Sequence, residues 1–361
     1  MDNHHFFRRV GEIMFIAILI VGNACSQNDT DTQRDGNLTT TASGTEVIQE
    51  TTSPEVAVTV IPLAGPLTSR NAEISGLAWY GDYLILLPQY PNRFDNSIFA
   101  LPKQAVADFL KGTSTAVLNP QAIPIQTPGL TSIRGYEGFE AIAFVGDQVF
   151  LTIEASPRGD MKGYLVKGTI EPDLSQVVLQ TETPTEIQPQ SDLSNYSDET
   201  LIVGGESILT IYEANGQNVN PNPVTHLFDL AGQPQHTMSF PNIEYRITDA
   251  TALDEEQRFW AINYLFPGNV GKLNPAPDLL RAKFGSGTSH QARENVVERL
   301  VEFQVTDTGI EFTDTPPIQL VLLPDEARNW EGVVRFDSPQ GFLLATDKFP
   351  ETILAFVPAS K

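Results

Sequence analysis

Residues 137–155 read EGFEAIAFVGDQVFLTIEA. Two apolar runs flank a Gly-Asp turn, and carboxylates stand at both ends. Gly and Asp suit the backbone of a tight hairpin, so the stretch reads as two antiparallel strands. The pattern recurs as EISGLAWYGDYLILLPQ (73–89), DETLIVGGESILTIYE (198–213), DATALDEEQRFWAIN (249–263) and EGVVRFDSPQGFLLATD (331–347). Five copies, at intervals of about 50 to 80 residues, mark a repeat architecture.

Further strands complete each unit. A third is expected at SIFALP (97–102), GYLVKG (163–168), THLFDL (225–230), LVEFQV (300–305) and TILAFVP (352–358). A fourth is expected at QAIPIQ (121–126), QVVLQTETP (176–184), HTMSF (236–240) and IQLVLL (318–323). The last unit lacks a fourth strand of its own. VIPLAGPLTSR (60–70) copies AIPIQTPGLTSIR (122–134), so the N-terminal segment has fourth-strand character. The expectation is an all-β fold over 55–361, a five-bladed β-propeller of four-stranded blades closed by an N-terminal strand. Closure removes exposed sheet edges. A β-sandwich is the competing fold, but it gives no reason for five copies.

The polar residues of the repeat fall in two rows. The first precedes the inner strand as R-x-x-[E/D]: Arg70 and Glu73, Arg134 and Glu137, Arg246 and Asp249, Arg328 and Glu331. The third unit has Asn195 and Asp198 there, and Glu140 and Glu199 add acids just inside. The second row ends the second strand, at Gln89, Glu154, Glu213, Asn263 and Asp347. In an antiparallel hairpin the start of one strand adjoins the end of the next, so both rows reach one mouth. That set holds ten carboxylates against four arginines. Two readings follow. Each Arg can clasp an acid of its own or a neighbouring blade. Alternatively the acid excess holds a hard cation such as Ca²⁺, with Glu140, Glu199, Asp249, Glu331, Glu154, Glu213 and Asp347 as ligands. Arg70, Arg134, Arg246 and Arg328 would then grip an anionic group of a small-molecule or phosphorylated ligand.

The formal net charge of -23 argues against nucleic-acid binding. Residues 1–25 read as a targeting segment, with Arg8 and Arg9 before a short apolar run. GNAC (22–25) resembles a bacterial lipoprotein signal, which makes Cys25 the lipidated N-terminus of an extracytoplasmic, membrane-tethered protein. Cleavage after Ala24, releasing a soluble secreted form, is the alternative. Cys25 is the sole cysteine, so no internal disulfide forms. Residues 26–54 are polar and read as a flexible tether, and a monomer is expected.

Residues 265–299 form an insertion in the fourth unit, carrying Lys272, Arg281, Lys283, Arg293 and Arg299. It reads either as a lid at the mouth or as a solubilising excursion. Scattered histidines, and the lack of a G-x-S-x-G or phosphate-loop motif, give no other chemistry.

EISGLAW, YEGFEAIAF and NWEGVVRF resemble the blade signatures of the esterase-like, phytase-type propeller family of secreted bacterial proteins. The resemblance implies a calcium-assisted hydrolase of ester or phosphoester bonds, with Glu73, Glu137, Glu140 and Glu331 as the functional acids. The third and fourth units depart from its E-G pattern with DET and DAT. A non-catalytic surface propeller, binding a ligand or partner at the same mouth, is the alternative.

Overall fold

Short apolar runs rich in Val, Ile, Leu and Phe alternate with Gly/Asp turns, and each run becomes a strand. The computed structural model describes residues 51–359. The expected targeting segment, Cys25 and most of the expected tether lie outside them. Thr52 and Ser53, at the end of the expected tether, already pair with Ser286. No helix among the described residues is long and apolar enough to cross a membrane.

The chain opens with β1 (Glu55–Val56) and β2 (Thr59–Ile61). A first antiparallel meander follows: β3 (Ile74–Tyr80), β4 (Tyr83–Pro88), β5 (Ser97–Pro102) and, after helix α1 (Lys103–Leu110), β6 (Gln121–Gln126). The second comprises β7 (Tyr136–Val145), β8 (Gln148–Ala155) and β9 (Lys162–Ile170), with β10 (Val177–Leu179) and β11 (Thr185–Ile187) sharing the outer edge of β9. The third is β12 (Asp198–Gly204), β13 (Ser207–Tyr212), β14 (Val224–Asp229) and β15 (Pro234–Ser239). In the fourth, β16 (Arg246–Ala250) and β17 (Arg258–Leu265) lead into helices α2 (Val270–Leu273), α3 (Leu279–Phe284) and α4 (Thr288–Ala292). Then β18 (Val297–Thr306) pairs with both β19 (Gly309–Phe312) and β20 (Ile318–Leu320). The last group is β21 (Trp330–Asp337), β22 (Gln340–Thr346) and β23 (Leu354–Pro358).

The fold is all-β, built of curled, nearly closed sheets in a propeller-like arrangement. The expected closing strand is in place: β2 pairs antiparallel with β23, Thr59 opposite Phe356 and Ile61 opposite Leu354. The uniform four-strand unit is not. The second and fourth meanders split their outer edge between two short strands, because a single long third strand there outruns either partner. Outer edges also join laterally, β6 to β10 and β15 to β19, both parallel.

Inner strands neighbour one another in sequence order, β3 by β7, β7 by β12, β12 by β16, β16 by β21 and β21 by β3. The apolar core is correspondingly divided into wedges between adjacent meanders. Ile85, Phe139 and Leu151 fill one, Leu77, Phe336 and Phe356 another, and Trp260, Trp330 and Phe342 a third. Ile211, Phe259 and Phe303 fill a fourth, and Ala143, Phe150 and Phe228 a fifth.

Candidate functional site

Inner strands can crowd the axis only where a side chain is small. A Cβ on Gly76 would meet the Ile142 amide at 3.3 Å, and one on Gly332 would meet Leu77 Cγ at 2.7 Å. The residue before each small one is displaced by a β-bulge, which leaves it unpaired and re-aims its side chain. The pairing register jumps from Ile74 to Gly76, Phe139 to Ala141, Asp198 to Thr200, Ile247 to Ala250 and Trp330 to Gly332. Ser75, Glu140, Glu199, Asp249 and Glu331 are therefore equivalent. This corrects the first row in three units, where it held Glu73, Glu137 and Asp198 instead of Ser75, Glu140 and Glu199.

Above the bulges lies a cavity of about 780 Å³. Its acids are Glu137, Glu140, Glu154, Glu199, Glu213, Glu331 and Asp347. Gln89, Asn195 and Asn329 add amides, Tyr90, Tyr196, Tyr264, Phe266 and Phe349 add rings, and Arg246, Lys272 and Lys348 are the cations. Six of the seven expected metal-ligand residues line the cavity: Glu140, Glu154, Glu199, Glu213, Glu331 and Asp347.

Asp249 does not. Its carboxylate accepts from the amides of Ala250, at 2.8 Å, and Val333, also at 2.8 Å, and from that of Leu77. It ties β16 to β21 and β3, and its oxygens are taken by these amides instead of lining the cavity. Glu73 also stays outside, since its left-handed backbone (φ 46°) turns it to Arg93 at 2.9 Å and Lys348 at 3.7 Å.

Of the four arginines, Arg246 alone lines the cavity, because it is itself the first residue of β16, opposite Tyr264. Arg70 lies in an exposed turn and donates to the Lys348 carbonyl, and Arg134 is exposed beside Gly135. Arg328 is buried against Glu298 at 2.7 Å and the Trp330 ring. Among the described residues no motif arginine pairs with its own motif's acid, so the clasps run between units. The three arginines outside the cavity are corrected from ligand contacts to surface or packing residues.

Arg246 organises the floor. Its Nε donates to Glu213, one terminal nitrogen to Asn329 Oδ1 at 3.0 Å, and the other to Glu199 and Glu331, each at 3.3 Å. Asn329 also donates to Glu331 at 2.5 Å. Burial opposes a charge on Arg246, yet Glu199 and Glu331 beside it lift its pKa above the ordinary value. The acids feel burial more than they feel this one cation. Burial, then Glu154, Glu199 and Glu331, pushes Glu140 well above the carboxylate range. Burial, then Glu199 and Glu137, raises Glu154 to about 8. Glu199 rises to about 7 through burial, despite Arg246, and burial with Asp347 lifts Glu331. Burial likewise raises Asp347.

Two carboxylate oxygens in this wall, Glu154 Oε1 and Glu213 Oε2, are buried without a hydrogen-bond partner. Glu140 accepts from Gln89 at 3.0 Å. The start of the insertion reaches the mouth, as expected of 265–299: Phe266, Asn269 and Lys272 line it. Lys272 Nζ donates to the Ser194 carbonyl and stands 4.7 Å from the Tyr196 ring centre. Asn329 and the tyrosines escaped sequence reading, although Asn329 stands two residues before Glu331 and Tyr90 directly follows Gln89.

No protein-family model matches the chain, and no curated protein matches it in sequence. Among solved structures it is similar to a GH43_1 enzyme from Xanthomonas citri, at 6% identity over 85% of this chain and 91% of that one, TM-score 0.46. An alpha-L-arabinofuranosidase from Lactobacillus brevis matches at 14% identity, over 82% of this chain and 92% of that one, TM-score 0.45. Glutaminyl cyclase from Myxococcus xanthus matches at 9% identity, over 85% and 100%, TM-score 0.41. Likeness at this level carries neither activity nor substrate to this chain.

Proposed function

We propose that the chain is a five-bladed propeller whose mouth cavity hydrolyses ester bonds by carboxyl acid–base chemistry. The cyclic succession of inner strands and the β2–β23 pair support the blade count. The observation that carries the reaction is Glu140, a carboxyl whose pKa burial and acidic neighbours push well above the carboxylate range, in a cavity of substrate size. A carboxyl that is neutral near pH 7 can donate its proton to a leaving oxygen. Gln89 donates to Glu140 Oε1, which leaves Oε2 to carry that proton. Glu137, half-buried at the rim of the same cavity, is the base that would take a proton from water. Four of the five N–H donors of Arg246 are spent on the floor, so its part is to hold Glu199, Glu213 and Glu331 in place.

The acid excess disfavours the phosphoester half of the expectation, because a phosphate would enter against like charge. Calcium fits the donor chemistry, which is all oxygen, but not the arrangement. Arg246 already holds three of the expected carboxylates, Asp249 is bound to amides, and among the described residues no three Asp, Glu, His or Cys are grouped to hold a metal. No step here runs through a metal.

The test is hydrolysis of a panel of ester, lactone and phosphoester substrates, with calcium or a chelator, by the wild type and Glu140→Gln. Ester turnover that falls about 10²-fold or more in Glu140→Gln, with or without calcium, is expected. Calcium-dependent phosphoester turnover would replace this reading with the metal-assisted one. The cavity lining contains no Ser, Thr, Cys or His to act as a nucleophile, which favours non-catalytic binding as the second reading.

A further inference from the structure

We propose that the mouth cavity is a receptor for a primary ammonium group on its ligand, held by Glu154 and Glu213. The side chains of these two residues are almost wholly buried, at 3% and 1% exposure, in the wall of an open cavity. Each has an oxygen with no donor, Glu154 Oε1 and Glu213 Oε2. A buried acceptor left unmade costs about 1–3 kcal/mol, more when charged, so these two oxygens call for a donor from outside.

The charge of that donor follows from the surroundings. Seven carboxylates face three cations across the cavity, and the nearest cations are engaged: Arg246 with Glu213, and Lys272 with the Ser194 carbonyl. The rings point the same way. Tyr264 already lies 5.7 Å from the Arg246 guanidinium and Tyr196 lies 4.7 Å from the Lys272 ammonium, so the walls accommodate nitrogen cations. Geometry separates ammonium from metal. Calcium needs about six to eight converging oxygens, whereas an ammonium needs three acceptors and tolerates an irregular set. Arg246, held by three separate carboxylates and an amide, shows this floor gripping a nitrogen cation in that irregular manner.

This inference concerns binding, and it stands whether or not the ligand is turned over. The experiment is isothermal titration of the full chain with n-butylammonium, n-butanol and calcium chloride, at a pH above the value of about 8 at which Glu154 sheds its proton and with ionic strength matched by sodium chloride. Butylammonium should bind and butanol should not. Glu154→Gln should weaken butylammonium about tenfold or more, and Glu154 Oε1 has no hydrogen bond to lose among the described residues. Lys272→Met, which removes a competing charge at the rim, should tighten it. Equal response to butanol, unchanged affinity in Glu154→Gln, or binding of calcium without ammonium would each overturn the proposal. Ester turnover without ammonium binding would sink this inference alone, and binding without turnover would sink the hydrolase reading alone.

Discussion

Glu154 sits at about 8 against an ordinary value of 4.5, because burial, Glu199 and Glu137 together outweigh Arg246 and Lys272. Between those two pH values the folded chain keeps a proton that the unfolded chain has released. The stability tied to that proton is fully present below 4.5 and is lost as pH rises toward 8. Glu154→Gln, neutral throughout, is expected to raise the melting temperature over wild type by a few degrees near pH 8 and little near pH 5. Calorimetry at the two pH values checks it, and an identical shift at both would refute the assignment. The acidity of this residue's row was legible because carboxylates recur after each second strand. What could not be read was register: Glu73 and Glu137 follow their arginines at the same spacing as Glu331, yet the bulge residues are Ser75, Glu140 and Glu331. A bulge adds a residue without altering the local pattern, so spacing alone misplaces the row.

At the level of strands, the residue following each bulge is as constrained as the bulge itself. Gly332→Ala would place a methyl 2.7 Å from Leu77 Cγ and 3.3 Å from the Leu77 amide. Strand β21 must then move away from β3, and a loss of about 1–3 kcal/mol in urea unfolding is expected. No loss would mean that β3 yields at this point. The closing strand offers a paired test: Ile61 is 1% exposed and faces the core, while adjacent Val60 is 55% exposed. Ile61→Ala should cost about 2–5 kcal/mol, and Val60→Ala within about 0.5 kcal/mol. Similar losses at both would deny β2 its role. Strands were read well because alternation and Gly/Asp turns are local signals. The split outer edges of the second and fourth meanders were not, since the choice of partner for β9 and β18 is made by tertiary contacts.

For the molecule as a whole, a charge of -23 at a sequence pI near 4.4 means that the folded state compresses mutually repelling carboxylates. Added sodium chloride screens that repulsion. The melting temperature should therefore rise between about 10 mM and 0.5 M salt near pH 7.5. A fall would show that ion pairs such as Arg328–Glu298 outweigh the net repulsion. The pairing of β2 with β23 has a consequence in time as well as in space. During synthesis β2 emerges long before its partner β23. Until β23 is made, β2 can rest against Leu84, Phe99 and Leu118 of the first meander but lacks its ladder partner, and the side of the wedge that Leu354 and Phe356 fill stays open. Folding to completion then depends on Leu354–Pro358, which makes the fold intolerant of a nick or early stop near residue 353. A polypeptide cut just before Leu354 would be not slightly shortened but unclosed.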